Sequence, residues 1–121
     1  MTTQEVANRY YELASQSKWI EIQEELHDDS VISQEPDHAA SRGIQVLIKG
    51  REAVRAKTMA NREMIEAIYS QSCSVPTVAG NFFSLGLKRD ATYKNRPRAQ
   101  SEEICVFEVK EGKIVSEQFF Y

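Results

Sequence analysis

Apolar positions in the first quarter of the chain recur at helical steps. Val6, Tyr10, Leu13 and Ser17 fall four and three residues apart on one face, with Glu5, Arg9, Glu12 and Gln16 elsewhere. This spacing predicts a helix over 3–16, capped by Thr2 or Thr3. Trp19, Ile22 and Leu26 share a second face, opposite Glu21, Glu24 and Glu25, which predicts a helix over 18–28. The spacer Ser15-Gln16-Ser17 is short, so the two helices should pack as neighbours. Asp28-Asp29 ends the helical pattern, and residues 31–35 predict a strand closed by Pro36. Residues 37–49 are small and polar around His38, with a brief apolar run at Val46-Leu47-Ile48, and predict a loop ending at Gly50. Helix formers including Ala53, Ala56 and Ala60 predict a third helix over 51–64. Beyond it the period falls to two. Ile65, Ala67, Tyr69, Gln71 and Cys73 line one face of a strand over 65–75, and Phe83, Leu85 and Leu87 one face of a strand over 82–92. Gly80-Asn81 and Lys94-Asn95-Arg96-Pro97 are breaks, and Lys110-Glu111-Gly112 joins strands 99–109 and 113–121 as a hairpin. Early helices and late strands predict an α+β fold, with helices on one face of a largely antiparallel sheet.

Composition narrows the function classes. The chain has 121 residues, 41% apolar and 27% charged, which suits one domain, 1–121, with its own core. No apolar run approaches the ~18 residues of a membrane span, and no basic-then-apolar leader is visible. Cys73 and Cys105 make no disulfide framework, and no His/Cys spacing suggests a metal site. We therefore expect a cytoplasmic protein with no metal or cofactor. The net charge of −3 is split: residues 1–40 carry nine acids and two bases, residues 41–121 nine acids and thirteen bases. The acidic opening argues against a nucleic-acid partner. Lys88, Arg89, Lys94, Arg96 and Arg98 cluster around one hairpin, either to meet an anionic ligand or to guard a sheet edge.

The wording then becomes informative. Arg9-Tyr10-Tyr11-Glu12-Leu13 resembles the opening helix of SnoaL-like polyketide cyclases and ketosteroid isomerases. Asp28-Asp29-Ser30-Val31 resembles their helix-to-strand junction. Gly50-Arg51-Glu52-Ala53-Val54-Arg55-Ala56 is similar to the start of the SnoaL-like third helix, and residues 106–115 with Phe119-Phe120-Tyr121 to the final hairpin and its aromatic end. The resemblance spans nearly the whole chain and implies the cone-shaped fold of nuclear transport factor 2 relatives: a curved sheet wrapped around three helices, with an internal cavity. That superfamily hosts isomerases, cyclases, dehydratases, epoxide hydrolases and inert association domains, so the cavity residues must decide the function.

The resemblance matches Tyr10 to the helix-one tyrosine that donates to an oxyanion in ketosteroid isomerases; a core aromatic is the plain alternative. Glu35-Pro36 matches the carboxylate base before a proline in those enzymes, whereas counting from Asp28-Asp29 puts Gln34 there. One residue flips the face, so either Gln34 or Glu35 enters the cavity. The second oxyanion donor of those enzymes is a protonated aspartate, and the final hairpin places Cys105 or Ile104 at its position. A thiol is a poor substitute. His38 could transfer protons or be a surface histidine; His27 receives no chemical role. Glu102, Glu103 and Gln118 lie on strands that line either the cavity or a dimer face. In the last strand Gln118 and Phe120 share one face and Glu117, Phe119 and Tyr121 the other. Aromatics on both faces predict a homodimer through the convex side. The expected cavity is mostly apolar, lined by Trp19, Tyr69, Phe83, Leu85, Phe107 and Phe120, with Gln34, His38, Cys105 and Gln118 as further contacts. The leading expectation is a cofactor-independent isomerase or cyclase-type enzyme on a small apolar carbonyl compound. Glu35 would remove a proton alpha to the carbonyl, and Tyr10 would steady the enolate. The alternative is a non-catalytic ligand-binding or dimerisation domain.

Overall fold

The computed structural model describes residues 1–121. Helix α1 spans Thr3–Ala14. Thr2 and Glu5 close a capping box at its start, satisfying two otherwise orphaned amides. The helix stops two residues before the predicted end, because Ser17 takes a positive φ of 57° in the tight link to α2, Trp19–Leu26. The chain then passes straight into β1, His27–Gln34. The predicted helix end and strand start both shift to residue 27, since His27 already has extended backbone.

The segment predicted as a loop holds two short elements, a 3₁₀ turn at Asp37–Arg42 and strand β2, Leu47–Lys49. Helix α3 spans Arg51–Met64 as predicted. Strands β3 (Ile65–Cys73), β4 (Thr77–Ala79), β5 (Phe82–Tyr93), β6 (Ala99–Lys110) and β7 (Lys113–Phe120) complete the chain. Glu111 and Gly112 carry φ of 50° and 76° in the β6–β7 turn, the paired positive values of a tight hairpin.

The seven strands form one curved sheet in the order β2-β1-β7-β6-β5-β3, with β4 on β5. All pairings are antiparallel except β1 with β7. The expected α+β architecture is therefore the one observed. One face of the sheet, called inner here, is covered by the helices. Val6, Tyr10, Leu13, Ile22 and Leu26 meet Phe83, Leu85, Cys105, Phe107 and Ile114 there in a continuous core. Tyr10, Phe83 and Phe107 are its centre, with ring centroids 4.6–5.7 Å apart. Such close aromatic packing stabilises the core beyond area burial alone.

Burial falls away along the inner face. On β5 it runs from Phe83 and Leu85, both buried, to Leu87 and Arg89, half-buried; on β6 it runs from Phe107 and Cys105 to the half-buried Glu103 and exposed Ser101. The inner face thus has a dry floor and an open polar end. No helix is long and apolar enough to cross a membrane.

Candidate active site at the open end of the sheet

Glu35 follows β1 and continues its alternation, because its amide donates to Val46 O at 2.8 Å. Ser33 faces inward, paired with Glu117 of β7, while Gln34 faces outward, paired with Gln118 and Leu47. Glu35 therefore turns inward again, and its side chain is 11% exposed. Lys57 Nζ donates to Glu35 Oε1 at 2.8 Å, and the Tyr121 hydroxyl donates to Oε2 at 2.8 Å. Lys57 arrives from α3 one turn after the buried Val54, and its ammonium also reaches Ser33 Oγ at 3.2 Å and lies over the Phe119 ring. Burial first, and then the hydrogen bond to Glu35, push the Tyr121 phenol well above its usual range, so it stays a neutral donor.

Behind this cluster lies a sealed charged layer. Glu117 Oε2 accepts from Ser33 Oγ at 2.8 Å, and Oε1 lies 3.0 Å from His27 Nε2. Neither ring nitrogen of His27 has a hydrogen-bond partner. Burial pushes the Glu117 carboxyl up, yet His27, Ser33 and Lys57 together outweigh it and hold the group below the ordinary carboxylate range. Glu103 goes the other way. Burial, and then the nearby Glu35 charge, raise it. The two carboxyls thus sit in environments of opposite effect, Glu117 sealed behind the cluster and Glu103 half-buried at the open end. No group of three His, Cys, Asp or Glu side chains converges on a possible metal position.

The residues singled out from the sequence separate into four groups. Glu35 lies in the cluster, and His38 sits at its rim, with Nε2 2.7 Å from Tyr121 O. Tyr10, Phe83, Leu85, Cys105 and Phe107 belong to the close-packed floor, each at most 5% exposed. The Tyr10 phenol makes no hydrogen bond; burial, and then Cys105, Glu117 and Glu103, raise it well above its usual range. Phe83 and Phe107 pack against the ring, and no hydrogen bond links Tyr10 to Glu35, whose oxygens are held by Lys57 and Tyr121. Trp19 is half-buried and packs on the rim of the same core. The fourth group corrects the expectation. Gln34, Gln118 and Phe120 face outward, because β7 pairs Glu117 with the inward Phe107 and Phe120 with the exposed Ile104. Tyr69 also faces outward. The β3 register slips between Ile68 and Ser70, and the ring lies under Arg98 at 3.8 Å, its hydroxyl on Thr92.

The open end is consequently polar rather than apolar. Sequence reasoning assigned no role to Lys57 and Tyr121 in the cluster, or to Ser33, His27 and Glu117 behind it. The signals were weak. Lys57 lies three residues after the buried Val54, and Glu117, Phe119 and Tyr121 share a parity opposite to Gln118 and Phe120. A separate surface groove of about 380 Å³ runs between α2 and α3, but its arginines are already paired, Arg51 with Asp29 and Arg55 with Glu24.

Comparison with known proteins agrees with this architecture. No curated protein matches the chain. A crystal structure of a proposed SnoaL-like polyketide cyclase from Mesorhizobium loti is 32% identical, covers 100% of both chains and superposes with a TM-score of 0.91. A protein of Catenulispora acidiphila with a ketosteroid isomerase-like fold, in complex with trimethylamine, is 16% identical over 100% of this chain and 87% of that one, with a TM-score of 0.73. A proposed isomerase from Bacillus subtilis is 20% identical over 98% and 88%, also at 0.73. These two show the fold alone. The family model described as a SnoaL-like domain matches residues 1–121, and with the full-length match at 32% identity it makes this chain a member of the SnoaL-like family.

Proposed function

We propose that the open end of the sheet catalyses proton transfer on a small carbonyl compound, without a cofactor, as an isomerase- or cyclase-type enzyme. The observation that carries this reading is the Glu35 carboxylate, turned inward and gripped by Lys57 and Tyr121 at 2.8 Å each. Glu35 accepts the proton from the carbon alpha to the carbonyl, and the C–H electron pair moves to the carbonyl oxygen as an enolate. As Glu35 becomes neutral, the Lys57 ammonium and Tyr121 hydroxyl are released to the new oxyanion, which needs donors already in place. Reprotonation at another carbon yields an isomer; attack of the enolate carbon on a second carbonyl closes a ring. The role first expected of Tyr10 passes to Tyr121, whose hydroxyl, unlike that of Tyr10, reaches the carboxylate. Trp19, Phe119 and His38 are the candidate contacts for the rest of the substrate. The test is exchange of alpha protons for deuterium in a panel of enolisable ketones and oxo acids, followed by NMR. Catalysed exchange lost in Glu35→Gln supports the assignment; equal exchange by that variant overturns it.

A second reading is a non-catalytic ligand-binding or dimerisation domain. The tight packing of Tyr10, Phe83 and Phe107 favours it, since it leaves no space at the floor. Either reading includes a homodimer through the outer face. Ile32, Leu47, Ile104 and Phe120 are each 38–56% exposed there, an apolar patch of the kind that marks interfaces. A cytoplasmic location fits the free thiols of Cys73 and Cys105.

A further inference from the structure

The basic cluster around the β5–β6 hairpin divides once the faces are known. Lys88 pairs with Glu102, and Arg98 with Asp90, both on the outer side of β5. Lys94 and Arg96 are exposed at the turn. Arg89 alone of the five enters the inner face, in line with Phe83, Leu85 and Leu87.

Its surroundings are unlike those of any other cation in the molecule. The lysines and arginines that are not exposed are Arg9, Arg51, Lys57 and Arg89. Arg9 pairs with Glu12 and Glu25, Arg51 with Asp29, and Lys57 with Glu35; Arg89 pairs with no carboxylate. A partly desolvated charge without a counter-ion is costly. Yet the guanidinium is held in place by neutral groups. Nε donates to Gln71 Oε1 at 3.3 Å and Nη1 to the Tyr93 hydroxyl at 3.0 Å, leaving Nη2 free. Gln71 is itself fastened to Ser17 Oγ, so the Arg89 support runs back to the helices.

Glu103 is the diagonal neighbour of Arg89 across β5 and β6, where Arg89 pairs with Ser101 and Leu87 with Glu103. The two form no ion pair. The Glu103 carboxyl meets only the Cys105 thiol at 3.7 Å. The open end therefore holds two cation–carboxyl couples. The Lys57–Glu35 couple is closed, and the Arg89–Glu103 couple is open.

We infer that Arg89 anchors a carboxylate on the ligand, so that the substrate is a small oxo acid rather than a neutral ketone. This rests on the proton-transfer reading and deepens it. The free edge of a positioned guanidinium suits the two oxygens of a carboxylate. Glu103, beside this edge, is raised by burial, which weakens its repulsion of such a ligand.

The experiment titrates the full chain with sodium benzoate, and separately with benzamide, its neutral isostere, following 1H–15N spectra that include the Arg89 Nε–H. The expected result is saturable benzoate shifts at Arg89, Gln71 and Glu103, with affinity at least about ten-fold above benzamide. Arg89→Gln loses that preference, Arg89→Lys retains part of it, and Arg98→Gln on the outer face leaves it intact. Circular dichroism reports whether Arg89→Gln is folded. Equal binding of benzoate and benzamide, no saturable benzoate shift, or a preference that persists in folded Arg89→Gln overturns the inference. Glu35→Gln keeps the benzoate preference. A preserved preference with no exchange on any enolisable compound defeats the proton-transfer reading alone, and exchange on neutral ketones with no benzoate preference defeats the carboxylate anchor alone.

Discussion

Tyr121 donates its hydroxyl to Glu35 at 2.8 Å, although 86 residues separate them in the chain. The parallel pairing of β1 with β7 makes this possible, because it lays the ends of both strands side by side. Lys57 holds the other oxygen of the same carboxylate from a third element. In the proposed reaction, a base fixed from two sides keeps one orientation toward substrate, which is what catalysis by position requires.

Three substitutions separate these contributions. Glu35→Gln should lower turnover by roughly 10²–10⁴, the usual worth of a general base. Tyr121→Phe and Lys57→Met should each lower it less, by about ten-fold or more, through lost oxyanion donors. Far-ultraviolet circular dichroism should show all three folded, with steady-state kinetics as the readout.

Tyr10 gives the opposite expectation. Its ring packs against the stacked pair Phe83 and Phe107, and its hydroxyl makes no hydrogen bond. Tyr10→Phe should leave turnover within a few-fold of the parent, while Tyr10→Ala should cost about 3–5 kcal/mol of stability in urea denaturation, as for other buried aromatics. A large loss of turnover in the Phe variant would restore the oxyanion role to Tyr10.

The buried Glu117 makes stability depend on acid. Its folded-state pKa lies below the usual 4.5, so the unfolded chain binds the proton more readily. The stabilisation is complete above the unfolded value and is lost as pH falls through the folded one. Glu117→Gln should remove this component, so the difference in urea midpoint between parent and variant should shrink as pH drops from 7 to 3. At pH 7, Glu117→Ala should cost on the order of 1–3 kcal/mol, because it leaves the buried Ser33 hydroxyl without its acceptor.

Glu103 contributes with the reverse sign. Its folded pKa is raised, so the native state holds the proton longer than the unfolded chain does. Stability is then lost as pH rises from about 4.5 through the folded value. Glu103→Gln mimics the neutral form and should gain on the parent over that window. Thermal unfolding at pH 4 and pH 8 checks it, and a gap that narrows with rising pH would contradict the assignment.

Ile104 and Phe120 face each other on the outer side of β6 and β7, exposed by 56% and 48%. Ile104→Glu should convert the proposed dimer to monomer in light scattering with little change in secondary structure. A parent chain that is already monomeric at micromolar concentration removes the interface.

Much of this protein is written locally. Thr2 with Glu5, the alanine-rich run after Gly50, and Glu111-Gly112 each specify a cap, a helix or a turn within a few residues. Local geometry therefore made α1, α3 and the last hairpin legible, as did the inward row Phe83, Leu85, Leu87. The family wording spans the same segments. What tertiary structure alone decided is which side of each strand faces the helices and which distant residues meet. Tyr69 left its expected face because β3 slips register between Ile68 and Ser70. Gln118 and Phe120 lost theirs because the apolar signal in β7 appears on both sides, and only its pairing with β6 chooses between them. Glu35 won over Gln34 through a single backbone hydrogen bond to Val46 that carried the alternation one residue past the strand. Lys57, Glu117 and Tyr121 carry no sign of their partnership in sequence, since a helix, a strand and a chain end converge only after the sheet has curved around the core.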